Sequence, residues 1–449
     1  MKTFVIALLL WIFSITAYSA DSADESVTHI STLTLVEALT LALERDPWRV
    51  GSELREQALV EASEANAQLP DPRIKLMAGN LPVDSWSLAQ EPMTQLSVGV
   101  QQFIPRGDSL SLTRERGYQR VDEERSWRSD RAAQVKLQVT QLWLDVLQAV
   151  MTRDRLIAGK PLLRDIETLI QDRYQAGMVG ASQADLLRTS VELARLEERI
   201  TRADQQLALS QQRLFAWIGE RAYAHVGQLP AMDTMSPKLS TLLAVSTQAS
   251  DATLFDYVAH HPRLRALGAR VEVANTEVAI AQESVKPAWT VEASYGYRAD
   301  DAQGRHRADL FSVGLSFDVP IFTSQRQDRS IRASKATAAS LETDRQLLTR
   351  DLLEQLRASL VSFQHAQARY INYVDSLIPQ LDLQVETELL AYNNDQADLA
   401  EAIIATITAL DTDIECIEIN IERHRALANL GYLTQIPVFS MIATQGEGY

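Results

Sequence analysis

At 449 residues, with 46% apolar and 23% charged side chains, the chain has room for one large domain or several ordinary ones and is too apolar for wholesale disorder. Its formal charge of −16 and pI of about 5.0 argue against a nucleic-acid partner, which calls for a basic face. A single cysteine, Cys416, excludes an intramolecular disulfide and a cysteine-based metal cluster; between Ile414 and Ile417 it reads as a thiol on a helix face.

Residues 1–19 read as a secretory signal peptide. Lys2 supplies the positive charge, residues 4–15 are almost purely apolar but short for a bilayer crossing, and Ala17-Tyr18-Ser19 offers small residues at a cleavage site. The alternative is a short membrane anchor. No cysteine follows the apolar run, so no lipid anchor is expected, and removal of Lys2 with the leader takes the charge from −16 to −17. No later stretch reaches the length of apolar sequence a transmembrane helix needs, so any crossing by the mature chain has to be a β-barrel.

Next comes a helix over 47–69, started by Asp46 as cap and Pro47 in the first turn. Two strands follow, 73–79 and 95–104; in the second, Leu96, Val98 and Val100 alternate with Ser97, Gly99 and Gln101. Long helices are expected over 109–158, briefly interrupted by Pro161, on to Tyr174, and over 182–218. Then the order repeats. Pro47 and Pro262, Pro72 and Pro287, and Pro105 and Pro320 are each 215 residues apart, and the phrase SVG recurs at 97 and 312. The second unit has a helix over 262–285, strands over 289–297 and 310–319, and long helices over 326–392 and 398–430. In its second strand Phe311, Val313, Leu315 and Phe317 alternate with Ser312, Gly314, Ser316 and Asp318. The chain is thus a tandem duplication: a first unit over 33–230, a second over 250–433 and a tail over 434–449.

The helices carry a 3.5-residue apolar repeat, as in Leu193, Leu196, Ile200, Ala203, Leu207, Ser210, Leu214 and Trp217. Leu353, Leu356, Leu360, Phe363, Gln367, Tyr370, Val374 and Leu377 continue the theme, as do Ile407, Leu410, Ile414, Ile417 and Ile421. That period makes helices supercoil left-handedly. Pro161 and Pro379, 218 apart, are read as packing kinks. His260-His261 is a poor chelator, because adjacent helical residues point different ways, and His261 holds the place of the capping Asp46. No phosphate loop, His-Glu-x-x-His or serine elbow is present, so no enzyme activity, cofactor or resident metal is expected.

Each unit supplies one β-hairpin on one long helical hairpin. Four strands cannot close a barrel, and an open edge cannot face lipid, so a membrane reading forces oligomerisation: three copies give twelve strands. Along this frame lie LTLVEALTLALERDP at 33–47, LPDP at 69–72, the two SVG…P strands, RYQAGMVGASQADLL at 173–187 and AYNNDQADLAEA at 391–402. In these motifs and their order the chain resembles the TolC-like outer-membrane efflux family.

The resemblance implies a mixed, mainly α fold and a homotrimer. Its twelve-stranded barrel would sit in outer-membrane lipid of a Gram-negative cell and continue into a periplasmic α-helical tunnel. Partners would be a periplasmic adaptor and an inner-membrane pump, of the RND type. EPM at 91–93 and QQFIP at 101–105 resemble the heavy-metal branch, which implies cations such as copper, silver, zinc, cadmium or cobalt as cargo. A multidrug or type I secretion duct is the alternative, and a periplasmic coiled-coil scaffold or adaptor without a pore the competing class. The resemblance places the tunnel tip and gate at Tyr174, Gly177 and Asp185 in the first unit and Tyr392, Asp398 and Glu401 in the second. Each carboxylate also fits an ordinary first-turn position on a helix dipole. Val98, Val100, Val313 and Leu315 are the expected barrel-strand residues.

Overall fold

A computed structural model describes residues 32–176, 182–244, 249–394, 396 and 398–438. The expected signal peptide and Gly177 lie outside the described residues, as does most of the tail.

The elements run α1 (Leu35–Arg45), α2 (Pro47–Asn66), β1 (Arg73–Gly79), β2 (Gln95–Ile104), α3 (Ser109–Gln175) and α4 (Gln183–Ile218). Short helices α5 (Pro237–Leu243) and α6 (Asp251–Val258) precede α7 (Pro262–Glu283), β3 (Trp289–Tyr297) and β4 (Leu310–Phe317). Then come α8 (Gln327–Asn372), α9 (Ile378–Asn393) and α10 (Leu399–Thr434). The 67 residues of α3 make a rod about 100 Å long. The fold is mainly helical, with one small antiparallel sheet, as the sequence implies.

Three strands match the expected boundaries. β4 ends at Phe317 rather than residue 319: the Asp318 N–H makes one last ladder bond to the Ala288 carbonyl (3.1 Å), and the chain then bends through Pro320, which has no N–H to continue it. Helices α2 and α7 end a few residues early, at Asn66 and Glu283, and α10 runs on to Thr434, past the expected 430.

The two prolines behave differently. α3 passes through Pro161 without a break, held by Leu156, Leu163 and Ile166 in the core on either side. Before Pro379, by contrast, Tyr373–Leu377 forms a π turn, in which the Ile378 N–H reaches back to the Tyr373 carbonyl. Widening the helix here relieves the clash between a proline ring and the carbonyl four residues earlier. The extra residue rotates the apolar stripe, which is why Val374, expected in the seam, is 41% exposed.

The core lies in three blocks. One packs α1 against α3 and α4, around Trp143 and Leu214. Its counterpart packs α5 and α6 against α8 and α10, around Leu356 and Leu360. Leu254 of α6 stands 215 residues after Leu39 of α1, the offset of the paired prolines, and each lies in its own core block. The third block binds the two long hairpins together through Leu163, Ile170, Leu196, Ile403 and Leu410. Arg199–Asp411 and Arg425–Asp145, both 2.5 Å, and Arg155–Asp413 add ion pairs between them.

Candidate functional site

The four strands form one meander, β1-β2-β3-β4, every pair antiparallel. The central pairing, β2 with β3, fuses the hairpins of the two units. Directly paired residues share a face, so the register sorts the side chains. One face carries Ile74, Leu76, Leu96, Val98, Val100, Val291, Ala293, Val313 and Leu315. Not one charged residue of the strands is on it. Val98 is 46% exposed, Val100 49%, Val313 69% and Leu315 61%, so nothing among the described residues covers this apolar surface. Both ends of the same face are aromatic. Trp289 and Phe317, with ring centroids 4.9 Å apart, lie at the helix end, and Tyr295, Tyr297 and Phe311 lie at the far end. Aromatic girdles bounding an apolar band are what a strand sheet in lipid requires.

The opposite face holds Ser97, Gly99, Gln101, Thr290, Ser294, Ser312, Gly314 and Ser316, together with Arg73, Lys75 and Glu292, the only charges in the four strands. Lys75 Nζ reaches across β2 to Glu292 Oε2 at 2.9 Å. It passes over Gly99, where a Cβ would come within 3.1 Å of the Ser294 side chain.

A buckle at the sheet's helix end was not foreseen from the sequence. Arg106 donates to the carbonyls of Ser284 (2.9 Å) and Lys286 (2.7 Å) and to Asp318 (2.8 Å), tying the first unit to the second. Gly107 then turns at φ +45°, and a Cβ there would lie 1.8 Å from Glu283 Oε2. That carboxylate accepts from Lys286 (2.7 Å) and from the Asp108 N–H (2.9 Å), which hold it below the usual carboxylate range. The only sequence signal was asymmetry: the first unit follows its third proline with Arg106, the second with Ile321.

At the other end of the molecule the helical hairpins turn. Arg173 ties the two turns, donating to the carbonyls of Tyr392 (3.2 Å) and Asn393 (3.1 Å), with its guanidinium 4.7 Å from the Tyr392 ring centre. Tyr392 is 3% exposed and packed with Leu399 and Ile403, whereas its counterpart Tyr174 is 47% exposed. Asp185 closes a capping box with Ser182, accepting from its N–H (3.0 Å) while the Asp185 N–H returns to the Ser182 hydroxyl (3.3 Å). Asp398 caps α10 by accepting from the Ala400 N–H (3.1 Å), and Glu401 is exposed in the first turn. Of the described residues expected at the tip, Asp185 and Asp398 cap their helices and Tyr392 is packed in the core, while Tyr174 and Glu401 are exposed. Among the described residues no group of three or more His, Cys, Asp or Glu is arranged to hold a metal. No described helix is long and apolar enough to cross a membrane.

Residues 256–405 match the family described as outer membrane efflux protein. Among curated proteins nothing matches. The fold is shared with VceC, an outer membrane protein of Vibrio cholerae, at 14% identity and a TM-score of 0.70, over 89% of this chain and 95% of that one. CusC is similar at 12% identity and a TM-score of 0.70, over 89% of this chain and 91% of CusC. The outer-membrane channel OprN gives 14% identity and a TM-score of 0.71, over 89% of each chain. Over 256–405 the family match agrees with the resemblance drawn from the sequence motifs, and the solved channels share the fold it implies.

Proposed function

We propose that this chain, with an outer membrane efflux domain over 256–405 and the fold of solved outer-membrane channels, is the duct of a tripartite efflux system. The observation that carries the reading is the sheet: a charge-free apolar face bounded by aromatics, a polar face behind it, and two open edges, set on helices about 100 Å long. A periplasmic scaffold has no use for an uncovered apolar sheet. Lipid on one side and water on the other account for both faces, and closure with two further copies accounts for the edges.

In this reading 33–230 and 250–433 are the two repeats, 1–19 is the leader, and a homotrimer carries its barrel in the outer membrane. A periplasmic adaptor and an inner-membrane pump, of the RND type, dock and power it; the duct performs no chemistry. Asp185 and Glu401, repeated by threefold symmetry beside Asp398, give the tip a ring of carboxylates that favours cations. Heavy-metal cations are the proposed cargo, carried by the sequence resemblance at 91–93 and 101–105, with selection made mainly in the pump.

The test is native mass in detergent together with conductance in a planar bilayer. A trimer that conducts ions supports the duct; a monomer that leaves the bilayer silent overturns it. For cargo, a deletion strain selectively sensitive to copper, silver, zinc, cadmium or cobalt supports the metal reading. Sensitivity to dyes and antibiotics alone replaces it with a multidrug duct.

A further inference from the structure

The sheet ends in two unpaired edges, β1 and β4, and lipid offers an open edge no partner. Resting on the duct reading, the partner of both edges is a second copy of this chain. β1 and β4 run in opposite directions, so β4 of one copy can add to β1 of the next and keep every pairing antiparallel around a ring.

Strand tilt fixes the register of that seam. Four strands spaced about 4.8 Å apart give each copy a width of about 19 Å. Barrel strands tilt by about 35–45°, so the pairing slips by about 13–19 Å per copy, or about four to six residues. Side chains alternate faces at every residue, so only an even slip keeps the apolar face continuous. Inside the chain the pairing runs from Ile74 through Val100 and Ala293 to Val313. A slip of about four residues therefore sets Ile74 beside the next copy's Phe317, Leu76 beside its Leu315 and Ala78 beside its Val313. β1 is then covered over its whole length. A slip of about six leaves Arg73 opposite Pro320, and a slip in the other sense sets Pro70 and Pro72, which lack an N–H, against β4.

Charge selects the same register independently. Arg73 makes no hydrogen bond or ion pair among the described residues. It shares the polar face with Gln101, Glu292 and Gly314. Asp318, next in the alternation after Ser316, has a side chain 66% exposed, with Arg106 on one flank only. The four-residue slip puts these two directly opposite. We propose that Arg73 of one copy pairs with Asp318 of the next, a lumen-side ion pair that locks the seam between copies.

Disulfide trapping in the full chain with Cys416→Ser reads the register. Lys75→Cys with Ser316→Cys reports the proposed slip, Lys75→Cys with Ser312→Cys reports none, and Lys75→Cys with Asp318→Cys reports the longer one. Oxidation is expected to link chains at least several-fold more in the first pair than in either other. If another pair links best, or if none links although native mass shows a trimer, the seam is wrong and the duct reading stands. If none links and the protein is monomeric, the duct reading falls and the seam with it. Arg73→Glu is expected to lower the melting temperature of the trimer and Arg73→Lys to keep it. In an Asp318→Asn background, where the Arg106 contact is weakened in every variant alike, Arg73→Glu is expected to cost less than in the parent, and an equal cost in both backgrounds counts against the pair.

Discussion

The two repeats solve the same local problems with different chemistry. α2 and α7 both begin with a capped proline turn, but Asp46 caps the first and His261 the second. Asp46 is also gripped by Arg131 (2.9 and 3.3 Å), so the first repeat fastens its cap to α3 with a shielded ion pair. His261 accepts the Arg263 N–H through Nδ1 (3.2 Å) and packs edge-on against Tyr432, ring centres 4.9 Å apart. The long helices differ likewise: α3 absorbs Pro161, while the second repeat opens a π turn ahead of Pro379. The frame of prolines and strands is common to both halves, and the contacts around each proline differ.

The largest expected effect is at the first cap. Asp46→Ala removes the cap and leaves Arg131, half-buried, with only the Trp217 ring beside it; the expected cost is about 2–4 kcal/mol. His261→Ala loses a cap and the edge-on packing against Tyr432, together about 1.5–2.5 kcal/mol. Thermal and denaturant unfolding of the two variants side by side checks the ratio; equal losses would mean that the caps are interchangeable after all.

Next is acid sensitivity. Burial, then the nearby Arg263 charge, pushes His261 down to about 4 from its ordinary 6.5. The fold thus favours the neutral ring, whose contribution is complete above pH 6.5 and is lost as pH falls from 6.5 towards 4. The amount at stake is at most about 3 kcal/mol. Tyr432, Asp130 and Gln134 complete the surroundings: Tyr432 donates to Asp130 (3.2 Å), as does Gln134 (2.6 Å). Burial raises Asp130, which works in the opposite sense, its protonated form being favoured in the fold. His261→Asn keeps a cap and removes only the first titration. Its melting temperature is expected to fall less than that of the parent between pH 6.5 and 4, and an unchanged slope would contradict the assignment.

The smallest effect concerns the prolines. Pro161→Ala restores a backbone donor inside a continuous helix and is expected to stabilise by about 1–3 kcal/mol. Pro379→Ala gains less, because the π turn has already relieved the clash. A larger gain at Pro379 in parallel melts would show that the π turn is strained.

The strands were legible almost to the residue because period-two alternation is bounded by proline at one end and glycine or a polar run at the other. The face assignment of Val98, Val100, Val313 and Leu315 followed from the same alternation. The heptad stripes located the seams until Tyr373, where a π turn cannot be read from spacing. Residues 219–261 were opaque, since two short helices and irregular turns carry too few residues for periodicity; α1 and α6 emerge as counterparts only through Leu39 and Leu254 in matching cores. Where the helical hairpins approach their turns, motif spacing picked out residues but not their contacts. Tyr392 is packed inside, and Arg173, which joins the two turns, lies within a quoted motif yet owes its role to carbonyls more than 200 residues away.

The central claim, that the sheet is a membrane wall with lipid on its apolar face and water on its polar face, is tested most directly by a cysteine scan of β4 in a Cys416→Ser background. Outer membranes are treated with a water-soluble maleimide and each position is scored. Labelling is expected at Ser312, Gly314 and Ser316 and not at Phe311, Val313, Leu315 or Phe317, a period of two in register with the faces. Uniform labelling along β4, or labelling of the apolar set, would contradict the account.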